Sequence, residues 1–156
     1  MIDLGLPSGT KWACCNVGAS RPEDYGGGYK WGQIADAPTI DQIKELINSC
    51  SSVWTTLNGV KGCLFTGPNG GQVFLPAAGG RWGGEFLDVG SYGYYWSGTL
   101  YEDYEYYAFR LGFHSGGVGW GWQLPWQWHA CSACRALTRF GASYTGRTKC
   151  DNENKL

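Results

Sequence analysis

Apolar residues recur at two periods along the chain, and each period marks a different kind of element. Ile40, Ile43, Leu46 and Ile47 fall at helical spacing and form one apolar face. Just ahead of them, Thr39-Ile40-Asp41-Gln42 fits a capping box, in which the threonine hydroxyl takes an orphan amide and the glutamine reaches back. Pro38 keeps the helix from extending backward. The pattern predicts a packing helix from Thr39 to about Ser49, with no chemistry of its own. Elsewhere the period is two. Lys11-Trp12-Ala13-Cys14-Cys15-Asn16-Val17 reads as strand, and Val53-Trp54-Thr55-Thr56 meets the hairpin-turn dipeptide Asn58-Gly59 before Val60 to Thr66. Pro68-Asn69-Gly70-Gly71 then turns the chain into Gln72-Val73-Phe74-Leu75-Pro76. Tyr107, Phe109, Leu111 and Phe113 alternate with Ala108, Arg110 and Gly112, so one face is expected to be buried and the other open. Between residues 80 and 128 glycine otherwise punctuates brief aromatic runs. No repeat of fixed period emerges. These elements predict an α+β domain: a small antiparallel sheet, one or two helices and long glycine-rich loops.

Composition narrows the function classes. The 156 residues suit a single domain. Charged residues are only 16% and net charge is −1, which excludes a polybasic nucleic-acid binder and an acidic solvating tail. Glycine (26 residues) lacks the three-residue period of collagen, and aromatic residues at 16% exclude ordinary disorder. No stretch reaches the length of roughly 18 apolar residues a membrane helix needs. No basic segment followed by an apolar run opens the chain, so no signal peptide is visible.

Seven cysteines, at 14, 15, 50, 63, 131, 134 and 150, leave at least one thiol unpaired within the monomer. Cys131-Ser132-Ala133-Cys134 has the spacing of half a zinc site, but with His114 and His129 the only histidines, nothing completes it. Buried thiols or an incidental disulfide are the simpler reading. No metal and no cofactor is expected.

The ordered segments Asp3 to Ala13, Asn16-Val17-Gly18-Ala19, Pro38-Thr39 leading to Glu45-Leu46-Ile47, Phe74 to Gly79, Gly90 to Ser97, Phe113 to Val118, and Arg135 carry a further signal. Together the chain resembles the C-type-lectin-fold domains of gut bacteria and their phages, in the branch related to formylglycine-generating enzymes. That branch includes the variable proteins of diversity-generating retroelements. The resemblance covers about residues 3 to 137. It implies a C-type lectin fold in a ligand-binding domain over 1–137, with a variable region at about 90–137; the polar composition of 138–156 reads as a loosely ordered tail. The compartment is left open, with a phage virion or a bacterial cell surface favoured over the cytosol.

In retroelement-diversified members, adenine mutagenesis rewrites display positions that alternate with scaffold. Carried over, Gly93, Tyr95, Trp96 and Ser97 match scaffold. The displayed set is Tyr92, Tyr94, Leu100, Tyr101, Asp103, Tyr104, Arg110, Gly112, His114, Gly119 and Gly121. The closing segment departs from the family: Cys131 to Leu137 stands there, with Ala133 where a serine belongs. Trp120 to Trp128 holds four Trp and two Gln, which mutated asparagine codons do not yield. Those residues are scaffold, or the chain is a fixed relative.

Residue chemistry points the same way. Residues 92–128 hold fourteen aromatics against four charges, Glu102, Asp103, Glu105 and Arg110. Tyr and Trp give rigid amphipathic contact area, and with Gly and Ser they make the composition of antibody loops. The expected partner is a protein or a cell-surface ligand. A calcium-independent glycan is the alternative, because Glu-Pro-Asn, Gln-Pro-Asp and Trp-Asn-Asp motifs are missing. Nucleic acid is not expected as the primary partner. The positive tail from Arg135 onward reads as a loose terminus. An enzyme is not expected: no Gly-x-Ser-x-Gly occurs, and Cys131 and Cys134 are the only candidates for a copper-holding pair.

Overall fold

Backbone pairing begins at the N-terminus, where β1 (Ile2–Asp3) and β2 (Lys11–Trp12) lie antiparallel. The computed structural model describes residues 1–82, 84–103, 106–124 and 136–137. A long irregular segment leads to α1 (Ile40–Ser49), then to β3 (Ser51–Leu57), β4 (Val60–Thr66) and β5 (Gln72–Pro76), which form an antiparallel sheet in that order. A small ladder joins β6 (Gly80–Trp82) to β7 (Glu85–Leu87). β8 (Tyr92–Leu100), β9 (Ala108–His114) and β10 (Gly117–Gln123) make a second three-stranded antiparallel sheet with β9 in the middle. Finally β11 (Ala136–Leu137) returns to pair with β2. Among the described residues the domain is α+β, mostly strand, with antiparallel sheets and one helix. No described helix is long and apolar enough to cross a membrane.

Local chemistry sets the ends of these elements. The Gln42 amide donates to Thr39 Oγ1 at 3.2 Å, and the Thr39 amide donates to Gln42 Oε1 at 2.9 Å, so both halves of the capping box form. Ile40, Ile43 and Leu46 are buried, as the helical spacing predicts. Asn58 and Gly59 take φ of 47° and 84°, the double left-handed turn that matches the twist of β3 and β4.

The two large sheets meet at Phe113. Its ring stacks on Tyr95 at 5.7 Å and meets Trp54 and Phe65 edge-on at 6.4 and 6.5 Å. Trp12, Ile43, Leu46, Leu75 and Leu111 close the same core. Tyr95 also ties the layers together: its hydroxyl donates to the Pro76 carbonyl at 2.7 Å and accepts from Asn16 Nδ2 at 3.2 Å. The start of α1 is fixed to β8 where that strand breaks register, between Trp96 and Leu100. There the Gly98 amide donates to the Pro38 carbonyl (2.9 Å) and the Ile40 amide to Thr99 Oγ1 (3.1 Å).

Three readings of the sequence change. The strand expected over 11–17 stops at Trp12, because the chain bends at Cys14 and Cys15 and turns Asn16 inward to Tyr95. Ala108, expected on the open face of β9, is fully buried. The stretch read as short aromatic runs contains two long ladders, because cross-strand pairing outweighs the poor strand propensity of its glycines.

Candidate functional site

Register decides which side chains share a face of the β8–β10 sheet. Tyr92 pairs with His114, Tyr94 with Gly112 and Trp96 with Arg110. On the other side of β9, Gly119 pairs with Gly112 and Gly121 with Arg110. Strand alternation therefore puts Tyr92, Tyr94, Arg110, Gly112, His114, Gly119 and Gly121 on one face. Gly93, Tyr95, Leu111 and Phe113 point into the core. The face is open at its Tyr92–His114 end and closed at the Trp96–Ala108 end, where both residues are buried.

At the open end the side chains organise one another. Tyr92 and Tyr94 stack at 5.7 Å with 11° between their planes, and His114 leans against Tyr92 at 5.1 Å. The Arg110 guanidinium sits 4.6 Å above the Tyr94 ring, within cation–π range. It gets there by crossing Gly112: a Cβ at that position would lie 2.5 Å from Arg110 Nη1. The Gly116 amide donates to His114 Nδ1 at 3.0 Å, which orients the imidazole and leaves Nε2 to a ligand. Burial pushes the Tyr94 phenol up from its ordinary value, although Arg110 pulls the other way. Tyr94 therefore remains an O–H donor at neutral pH. Beside this aromatic wall, a Cβ built on Gly119 or Gly121 would meet nothing within 4 Å. The result is a flat backbone floor flanked by rings, a cation and an imidazole. Such a surface offers stacking, planar hydrogen bonding and close backbone approach to something laid across it.

The remaining expected site residues lie elsewhere. Leu100 is exposed at the end of β8, and Asp103 is exposed in the turn that follows. Tyr101 is half-buried and packs edge-on against Phe109 at 5.2 Å and near Trp122 at 6.0 Å. Tyr104 lies outside the described residues, as do His129, Cys131, Cys134 and the tail after Leu137.

Tyr101 belongs to an aromatic group that sequence reasoning did not single out. Trp120 and Trp122 are 47% and 52% exposed, although their strand parity matches the core side. β10 overhangs the core there. Trp122 meets Tyr107 at 5.1 Å, Trp120 meets Phe109 at 5.8 Å, and Lys44 Nζ from α1 lies 4.6 Å over Trp120. The alternation Val118, Trp120, Trp122 between glycines was the available signal. A separate cavity of about 360 Å³ lies between the Tyr25–Gly28 loop and Ala78, Phe86 and Val89. Among the described residues, no three His, Cys, Asp or Glu side chains gather into a cluster that could hold a metal ion.

Compared with known proteins, the chain matches no family model, no curated protein and no solved structure.

Proposed function

We propose that the chain is a ligand-binding domain on a C-type lectin scaffold, and that the open face of β8–β10 is its display surface. The reading rests on one observation: steric freedom follows the division into display and scaffold positions. At Gly93, a scaffold position, an added Cβ would fall 2.1 Å from the Phe113 ring. At Gly119 and Gly121, display positions, it would meet open space, and at Gly112 the far end of Arg110, with the Tyr94 ring at an ordinary contact distance of 3.9 Å. A surface that must change its side chains without losing its core needs this separation. The residues facing outward at present are Tyr, Arg and His, types that supply much contact area at low entropic cost.

In this reading the ligand is a protein or another cell-surface structure. The adenine-directed rewriting of a retroelement would supply the variation. Sequencing the gene across a population, with its flanking DNA, tests it. We expect substitutions to concentrate at codons 92, 94, 110, 112, 114, 119 and 121 while 93, 95, 111 and 113 stay fixed. A near-copy of the region differing at adenines should lie nearby, with a reverse transcriptase gene. Substitutions spread evenly over both faces would overturn the reading.

A fixed glycan-binding domain is the second reading, favoured by the exposure of Trp120 and Trp122. Exposed indole rings stack on sugar faces without calcium. A glycan array read with the native chain and with Trp120→Ala/Trp122→Ala separates the two.

A further inference from the structure

The cavity of about 360 Å³ draws its walls from three separate segments, none of them part of the display surface. Tyr25 to Gly28 form one, Ala78 just past β5 a second, and Phe86 with Val89 a third. Each segment is fastened to the body of the domain. Asn16, turned inward after β2, donates from Nδ2 to the Tyr25 carbonyl and to the Tyr95 hydroxyl, both at 3.2 Å. The Tyr25 backbone is thereby tied to the core while its side chain stays exposed. The Gly27 amide donates to the Val17 carbonyl at 3.0 Å. The Gly79 amide donates to the Tyr92 carbonyl and the Gly90 amide to the Ala77 carbonyl, both at 2.8 Å. Between Phe86 and Val89, Asp88 holds a φ of 62°, a region that non-glycine residues seldom adopt. Its carbonyl accepts from the Ser91 and Tyr92 amides, both at 2.9 Å, which fixes that turn. On β6, Arg81 faces Phe86 across the ladder and lies 5.5 Å over its ring. These bonds hold the cavity open with nothing in it, as ligand pockets are usually formed in advance.

We propose that this cavity is a second binding site, for a small uncharged aromatic molecule of one or two rings. Size sets the upper limit. The volume lies near the lower end of the range of about 300–1,000 Å³ that ligand pockets span, which suits a fused pair of rings rather than a larger compound. The lining sets the chemistry. Tyr25 and Phe86 offer ring faces and edges, and Ala78 and Val89 add aliphatic contact. Three successive glycines, Gly26 to Gly28, put bare backbone beside the space, so a flat ring can approach closely.

The described lining carries no charged side chain. A charge taken into it would lose water and gain no partner, so the site selects against ions. Asp24, next to the loop, is engaged by Arg21 at 2.8 Å, and Arg81 is placed over Phe86. Peptide groups of the glycine stretch remain to bond one polar substituent on the ring. The site is separate from the open face of β8–β10, so its failure would leave that reading untouched.

Titration of the isotope-labelled full chain with indole, followed by amide chemical shifts, tests this. We expect saturable shifts centred on residues 25–28, 78, 86 and 89, with half-saturation below about 1 mM. Indole-3-carboxylate, the same rings with a negative charge, should bind at least about tenfold more weakly. Phe86→Ala removes one ring wall at an exposed position and should weaken indole about threefold to tenfold. Val89→Trp, also at an exposed position, fills the space and should abolish the shifts. Trp120→Ala/Trp122→Ala should bind indole as the native chain does. Three results would overturn the proposal: no saturable shift at the lining residues, shifts that disappear only in the tryptophan pair, or indole-3-carboxylate binding as tightly as indole. Should Val89→Trp fail to fold, the shift map of the native chain and the loss in Phe86→Ala still decide.

Discussion

At Gly93 the absence of a side chain is a packing requirement. The Phe113 ring occupies the space a Cβ would need, and that ring also holds Tyr95, Phe65 and Trp54. Gly93→Ala should therefore cost about 1–3 kcal/mol, the usual cost of overpacking. Gly121→Ala, which meets nothing, should stay within about 0.5 kcal/mol of the native chain. Denaturant melts of the two variants side by side check the contrast. Cys63 offers a residue-level test by pH. Burial pushes its thiol from 9.0 up to about 12. Unfolding returns it to the ordinary value, so between those limits the unfolded chain binds fewer protons than the folded one. The stabilisation is complete below about pH 9 and is lost as pH rises toward 12. Cys15 and Cys50, also raised by burial, act in the same direction. Cys63→Ala should melt lower than the native chain at neutral pH, because it leaves a small cavity. Its melting temperature should then fall less steeply above pH 9, so the two curves converge. Parallel curves would show that Cys63 does not carry the alkaline loss.

Whole elements differ in how far their own residues specify them. α1 is set locally: the capping box, the Pro38 stop and the spacing of Ile40, Ile43 and Leu46 are all written within a dozen positions. Its start also receives the β8 irregularity through Thr99 and Gly98. Thr39→Ala should thus lose about 1 kcal/mol, about 3 °C in Tm for a domain of this size. Gln42→Ala should lose less, since it removes only the reciprocal half of the box. Thermal denaturation of both distinguishes the halves. The β3–β4 hairpin was legible for the same reason, because Asn58-Gly59 states its own turn. β10 was legible only through the alternation of Val118, Trp120 and Trp122 with glycine. Its residues Gly117, Gly119 and Gly121 argue against strand, and only the ladder to β9 holds them extended. The Lys11–Val17 stretch failed in the opposite sense. Its composition favours strand, but Asn16 finds partners on Tyr25 and Tyr95 that a strand would deny it. Of the site, the outward place of Arg110 followed from alternation, whereas Tyr92, Tyr94 and His114 were expected from the family resemblance, and the strand register gathers the four on one face. The Tyr101–Trp122 group depends on how far β10 overhangs the helix, a distance no local pattern encodes.

Across the whole molecule the two candidate surfaces belong to opposite sides of one sheet, and a single pair of variants can tell which is used. Tyr92→Ala/Tyr94→Ala/Arg110→Ala removes the stacked rings and the guanidinium from the open face. These side chains stack on one another, and the core runs through Tyr95, Leu111 and Phe113 on the reverse. The triple variant should hence melt within a few degrees of the native chain. Trp120→Ala/Trp122→Ala strips the overhang instead, and it too should remain folded, because both indoles are about half exposed. Arrays of glycans and of cell-surface proteins, probed with the native chain, supply the ligand. If the display surface binds it, the triple variant should lose at least about tenfold in affinity, as expected when central aromatic and arginine anchors are removed. The tryptophan pair should then bind as the native chain does. The reverse pattern, with signal lost only in the tryptophan pair, would place recognition on the overhang and favour sugar stacking. Loss in both variants with unchanged melting would mean that the ligand wraps the edge strand β10 and touches both sides. Gly119→Trp, which adds a bulky ring to the floor beside that edge while leaving the indoles in place, should in that case abolish binding by itself.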